Sequence, residues 1–285
     1  MRFKHITSRD NAIVKRLSEL TKSASARRSG GYCLLEGEHL ALSYIAAGRT
    51  LSQLVFREGS NFAASVLVGT PEHALPADHA ALLASAQELI VLSTSLFDQV
   101  STLSTPTSLL ALATVPASAA PRSDGFVLAL DAVQDPGNVG TLIRTAVAAR
   151  ADQIWLSSGS AFAWSTKTLR ASQGAHFAVE IIESVDLSVA LSNFRGARWA
   201  TLPRALPGME PSVESTSLFD LATGLNNVLV LSNEGAGLSK ALYPQITHSL
   251  QIPMAPGVES LNVATAGALA LYRISELSGR LSDYS

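Results

Sequence analysis

The chain has 285 residues, 47% of them apolar and 15% charged, with 21 Lys and Arg against 23 Asp and Glu for a formal net charge of −2. This length allows two ordinary domains or one large one, enough to bury a core, and the composition excludes a disordered protein. A near-neutral total argues at first against a nucleic-acid partner. The charge is uneven, however: residues 1–30 hold eight basic groups (Arg2, Lys4, Arg9, Lys15, Arg16, Lys22, Arg27, Arg28) against Asp10 and Glu19, or +6, and the rest of the chain carries −8.

Residues 10–21 place apolar groups at 13, 14, 17 and 20, which is helical spacing with Asp10 as the N-cap. After the Gly30-Gly31 break, 32–35 reads as a strand and 38–47 as a helix, and 51–56 and 89–92 read as strands with Ala-rich helical stretches between them. Residues 1–114 thus describe a small α/β domain. Residues 115–125, Val-Pro-Ala-Ser-Ala-Ala-Pro-Arg-Ser-Asp-Gly, form a linker, because two prolines and small residues do not build a packed element. From 126 to 285 strands alternate with helices: 126–130, 153–156, 179–182, a short strand at Trp199 and 227–231 as strands, 138–150 and 261–278 as helices. Continuous apolar strands alternating with helices imply an α/β fold with a parallel sheet covered on both faces.

Cys33 stands alone and the six histidines show no HxH or HxxxH spacing, so neither a disulfide framework nor a metal site is expected. No run approaches the ~18 apolar residues of a membrane helix, and the basic N-terminal stretch lacks a signal peptide's apolar run. The expectation is a cytoplasmic protein in a reducing compartment, with no membrane segment.

Three motifs stand at strand ends. Asp131-Ala-Val-Gln-Asp-Pro-Gly-Asn-Val-Gly-Thr-Leu-Ile-Arg144 leaves a strand through a Pro-Gly turn and enters a helix at about Asn138, which can cap it. Alone, this reads equally as a capped helix with one solvated Arg. Leu231-Ser-Asn-Glu-Gly-Ala-Gly-Leu-Ser239 follows an apolar strand, and Gly235 and Gly237 permit close backbone approach or a positive φ. It fits neither the GxGxxG dinucleotide fingerprint nor the P-loop, which excludes a nucleotide-dependent dehydrogenase as the competing enzyme class. Ile252-Pro-Met-Ala-Pro-Gly-Val-Glu-Ser-Leu-Asn-Val-Ala264 is a Pro-bounded loop in which Ser260 or Asn262 starts an Ala- and Gly-rich helix. That helix is suited to close packing, inside the fold or against a second subunit. In an open α/β sheet, ligands bind beyond the carboxyl ends of the strands, where all three loops lie.

In this order, the motifs resemble the signature of the SpoU/TrmH family of RNA 2′-O-ribose methyltransferases, in the SPOUT superfamily, from Phe126 to about Arg280. Asn138, Gly140 and Arg144 fit the first family motif, Asn233-Glu-Gly-Ala-Gly-Leu the second, and Ile252-Pro-Met with Ser260-Leu-Asn-Val the third. Lys167-Thr-Leu-Arg-Ala-Ser-Gln-Gly-Ala175 resembles the family's connecting segment. Residues 1–114 are similar to the RNA substrate-binding domain often attached in this family, through Ile6-Thr-Ser, Asn11, Val14-Lys15, Arg27 and Leu35-Glu-Gly37.

The resemblance implies a deep trefoil knot in the C-terminal domain, a homodimer, and bound S-adenosylmethionine contacted by Ser232, Ile252 and Leu261, with Gly235 and Gly237 shaping the loop. The family usually has Gly where this chain has Ser232, and a left-handed backbone there would strain a serine. It implies a catalytic set of Arg144, Asn138, Glu234, Ser260 and Asn262. Arg144 would act as general base or as an electrostatic clamp, and a guanidinium is a poor base at pH 7. It further implies an RNA substrate, ribosomal RNA favoured over transfer RNA, docked on Lys15, Arg27 and Arg28. A non-catalytic RNA-binding protein of the same fold is the competing reading, and the intact catalytic set argues against it.

Overall fold

The computed structural model describes residues 3–69, 74–201, 214–233 and 235–282. Its contacts gather into two compact units: Met1–Ala117 with Trp164–Phe177, and Ser118–Ala163 with Ala178–Ser285. The chain passes between them three times, after Ala117, Ala163 and Phe177, and 115–125, around the first passage, forms no helix or strand.

The first unit runs β1 (Phe3–Ile6), α1 (Ala12–Lys22), α2 (Ala24–Gly30), β2 (Tyr32–Glu36), α3 (Glu38–Ala46), β3 (Gln53–Arg57), α4 (Asn61–Val68), α5 (Ala77–Ser85), β4 (Leu89–Leu92), α6 (Thr94–Val100) and β5 (Leu109–Thr114). The strands form a five-stranded mixed sheet in the order β1-β4-β3-β5-β2. β1 and β3 run parallel to β4, whereas β5 is antiparallel to β2 and β3. α1 buries Val14, Leu17 and Leu20, the apolar positions at helical spacing, against Leu34, Ile90 and Phe97. Its N-cap is Asn11, whose Oδ1 accepts from the Ile13 N–H at 2.9 Å, and not the expected Asp10. Asp10 lies one residue too early for that bond and pairs with Lys15 at 3.2 Å.

The rest of the chain runs β6 (Phe126–Asp131), α7 (Pro136–Ala148), β7 (Gln153–Leu156), α8 (Thr166–Ser172), β8 (Glu180–Ile182), α9 (Leu187–Ser192), β9 (Ala197–Thr201), β10 (Glu214–Ser217), β11 (Asn227–Ser232), β12 (His248–Gln251) and α10 (Val263–Leu277). α8 gathers with the first unit. There the Arg170 guanidinium donates to buried Glu36 at 2.5 Å and to Thr102 Oγ1 at 2.7 Å, so the Lys167–Ala175 motif is held by an ion pair.

In the second unit seven strands form one sheet, β10-β12-β9-β11-β6-β7-β8, with every pairing parallel. Both faces are covered, as the continuous apolar strands predict. Val127, Ala129, Val228 and Val230 point to one face and pack against Leu187, Leu191 and Leu242. On the other face α10 packs on α7 and β11. Gly267 permits this approach: a Cβ there would meet the Leu142 side chain and lie 2.6 Å from Leu231 Cδ1. Two fully buried polar side chains of this unit, Gln153 and Asn227, are paired. Gln153, fully buried, donates to Ala120 O and Glu180 and accepts from the Arg122 N–H, while Asn227 accepts from the Trp199 indole at 3.0 Å. Among the described residues no helix is long and apolar enough to cross a membrane, and no cluster of His, Cys, Asp and Glu has the makings of a metal site.

Candidate active site at the strand ends

β6 and β11 lie side by side in register, so Asp131 pairs with Ser232 and the first and second motifs leave the sheet at the same level. Ser232 is the last residue of β11 and has no positive φ, so a serine fits this position without strain. The next residue on the neighbouring strand takes the unusual backbone instead. Ala132 has φ 53°, held by its N–H donating to Ser157 Oγ at 2.9 Å and its C=O accepting from Asn233 Nδ2 at 3.1 Å.

This turn sends the chain into α7. The helix starts at Pro136 and is capped by Asp135, whose Oδ1 accepts from the Asn138 N–H at 2.8 Å. The expected cap, Asn138, therefore lies inside the first turn. Pro at the first helical position has no N–H to leave unpaired, and Asp is among the best caps. Displaced from the cap role, the Asn138 side chain accepts from Asn262 Nδ2 at 3.2 Å, which joins the first motif to the third. Gly140 is buried. Arg144 is exposed, two helical turns from Gly137 on a face shared with Thr141, and it makes no ion pair among the described residues.

The second motif folds into a tight loop. Asn233 Oδ1 accepts from the N–H groups of Gly235 and Ala236, and the Gly237 N–H donates to Asn233 O at 2.9 Å. Gly237 takes φ 70° in open space, so glycine is required there by conformation. A Cβ at Gly235 would meet only Asn233 Oδ1, at 3.5 Å, within 4 Å. The loop thus shows bare backbone at both glycines. Glu234 lies outside the described residues. The loop is anchored behind by buried Leu238 and by Asp131, 4% exposed, which accepts from the Ser239 N–H and Oγ at 2.8 and 3.0 Å. The first motif begins at Asp131, but nothing in sequence spacing links it to a serine 108 positions away.

In the third motif Asn262 caps α10, accepting from the N–H groups of Ala264 and Thr265, which settles the choice between it and Ser260. Ser260 is exposed in the preceding loop, and Ile252 and Leu261 are half-buried. The structure thus brings Asn138 and Asn262 into contact and sets Ser232 beside the turn that leads to them.

On the first unit Lys15 and Arg28 are exposed on α1 and α2. Arg27 is half-buried: its Nη1 donates to Leu20 O at 2.6 Å and Thr21 O at 3.0 Å, closing the C-terminal end of α1. Burial, with the neighbouring charge of Arg28, holds its pKa below the usual arginine range.

Residues 125–272 match the SpoU rRNA Methylase family model, a stretch that contains all three motifs. The 23S rRNA (guanosine(2553)-2′-O)-methyltransferase RlmP of Bacillus subtilis is 30% identical over 271 residues, 95% of this chain and 99% of that protein. An uncharacterised tRNA/rRNA methyltransferase of Synechocystis is 30% identical, over 94% of this chain and 92% of that one. Among solved structures, an AdoMet-bound rRNA methyltransferase from Sinorhizobium meliloti aligns with a TM-score of 0.77 at 26% identity, covering 96% of this chain and 98% of that one.

Proposed function

The chain belongs to the SpoU rRNA methylase family, and on that premise we infer the chemistry of its strand-end loops. It is an RNA 2′-O-methyltransferase that uses S-adenosylmethionine, with ribosomal RNA as substrate. The observation that carries the assignment to this site is the joining of the three motifs at the ends of β6, β11 and β12, through the Asn138–Asn262 bond and the clasp on the glycine loop.

Ser232, Gly235, Gly237, Ile252 and Leu261 would hold the cofactor. They fit such a group: the two glycines present bare backbone that a side chain would cover, and Ile252 and Leu261 offer half-buried apolar surface. When bound, S-adenosylmethionine supplies an electrophilic methyl group. The catalytic set is Arg144, Asn138, Glu234, Ser260 and Asn262. Arg144 is permanently charged, so its role is electrostatic rather than basic. It clamps the phosphate beside the target ribose and stabilises the oxyanion as the 2′-hydroxyl proton passes to water. Asn262, fixed as the cap of α10, orients Asn138, and the pair holds the ribose in place.

Residues 1–114 serve as the RNA substrate-binding domain, 115–125 as the linker and 126–285 as the methyltransferase domain. Lys15 and Arg28 contact the RNA directly, and Arg27 adds positive charge from its half-buried position. The methyltransferase domain is knotted, a reading supported by the insertion of β11 between β6 and β9 in an all-parallel sheet. It works as a homodimer, a reading supported by Leu269 and Tyr272, three residues apart on α10 and 44% and 46% exposed. The enzyme acts in the cytoplasm.

Calorimetric titration tests the cofactor, with NAD as the control: S-adenosylmethionine binds and NAD does not. Mapping 2′-O-methyl positions in total RNA with and without the gene then identifies the nucleotide. Loss of a methyl group from ribosomal RNA is expected. Failure to bind S-adenosylmethionine, or an unchanged methylation map, overturns the reading.

A further inference from the structure

Asp131 is a buried carboxylate with no cation beside it among the described residues, an arrangement that costs free energy unless hydrogen bonds offset it. Both of its oxygens are used on one residue: Oδ2 accepts the Ser239 N–H and Oδ1 accepts the Ser239 hydroxyl. A carboxylate accepts both at once, whereas an Asn would keep one neutral acceptor for the N–H and reverse the bond to the Ser239 hydroxyl, so that both charge-assisted bonds become neutral ones. The same end of β6 also holds the start of the glycine loop. The Asn233 N–H donates to Asp131 O at 3.1 Å and Asn233 Nδ2 donates to Ala132 O. Both ends of the loop 233–239 are therefore fastened to two consecutive residues. Those residues lead directly into α7, which carries Asn138 and Arg144.

We propose that Asp131 and Ser239 are a positioning pair that fixes the glycine loop in its cofactor-binding shape, in register with the helix of Arg144. Asp131 reaches the cofactor through Ser239 and the backbone of Gly235–Gly237, and it is not itself a catalytic residue. The proposal rests on the assignment of this loop to S-adenosylmethionine. Charge-assisted bonds are about twice as strong as neutral ones, which is why the clasp needs the ionised group.

The test compares Asp131→Asn, Ser239→Ala and Ser239→Thr in the full chain by calorimetric titration with S-adenosylmethionine and by steady-state methylation. Asp131→Asn is expected to raise the cofactor Kd at least tenfold and Ser239→Ala three- to fivefold. Ser239→Thr, which keeps the hydroxyl, restores binding to within twofold of the unsubstituted protein. KM for RNA stays unchanged in all three, and kcat at saturating cofactor falls less than threefold in the Ser239 variants. Should Asp131→Asn fail to fold, the Ser239 pair decides the matter. Wild-type cofactor affinity in Ser239→Ala, or a Ser239→Thr variant as weak as Ser239→Ala, overturns the proposal. If the unsubstituted protein itself does not bind S-adenosylmethionine, the cofactor assignment fails instead, so the two failures are distinguishable.

Discussion

Arg27 and Arg144 both lie on helices, and their surroundings give them opposite uses. Arg144 projects into solvent without an ion pair among the described residues, so its charge is available to a ligand. Arg27 spends its Nη1 on the last carbonyls of α1. Arg144→Ala is therefore expected to fold and bind S-adenosylmethionine normally while methyl transfer at saturating cofactor falls about 10²- to 10³-fold, as for the loss of one group that stabilises developing charge. Full residual 2′-O-methylation would remove Arg144 from the mechanism. Arg27→Ala acts on stability: loss of two charge-assisted bonds at a half-buried site costs about 1–2 kcal/mol, to be read as a lower urea midpoint at unchanged slope. An unchanged midpoint would mean the cap is dispensable. The family resemblance offers both arginines as functional candidates. It separates them no further, because the carbonyls that occupy Arg27 are backbone groups that no side-chain pattern reports.

At the scale of elements, the packing of α10 on α7 fixes where Asn262 meets Asn138, and Gly267 sets that distance. Gly267→Ala puts a methyl against Leu142 and Leu231, both fully buried with little room to turn away. The expected cost is about 1–3 kcal/mol, a fall in melting temperature of roughly 2–4 °C per kcal/mol for a unit of this size. A stability equal to that of the parent would show that the two leucines can rearrange. The Ala- and Gly-rich composition of α10 was readable as close packing, and part of it serves the interior. The apolar strands β6, β7 and β11 are equally legible, since a strand buried on both faces is apolar along nearly its whole run. β10, Glu-Ser-Thr-Ser at the sheet edge, was not, because an edge strand beside one neighbour needs no apolar residues. β5, Leu-Leu-Ala-Leu-Ala-Thr, suits a helix as well as a strand by composition, and its antiparallel neighbours β2 and β3 decide it. α7 starts two residues before the expected position, because Asp135-Pro136 is a strong cap signal and the Pro-Gly pair belongs to the helix rather than to a turn. The three site motifs were legible because each is local in sequence. The Asp131–Ser239 clasp was not, since it exists only once β6 and β11 pair.

For the whole molecule, net charge misleads and its distribution informs. Much of the basic charge of the first thirty residues is carried at the surface, with Arg9, Lys15, Arg16, Lys22 and Arg28 exposed and Arg16 lying over the Tyr32 ring at 4.3 Å. RNA binding releases counterions in proportion to the phosphates neutralised, so the affinity of such a face must fall with salt at a slope set by its contacts. Each phosphate contact removed flattens that slope by about 0.7–0.9, so the double variant Lys15→Ala/Arg28→Ala should lower it by roughly 1.5 and weaken RNA binding at every salt concentration. Arg27 is left intact in this comparison because its loss would also loosen α1. Arg195→Ala, which removes a 75%-exposed cation in the other unit, serves as the control and should leave the slope unchanged. A salt slope unaltered in the double variant would mean that RNA is held elsewhere. An equal flattening in both would mean that RNA senses the field of the whole chain, and a local basic face can be told from a diffuse one only by this difference.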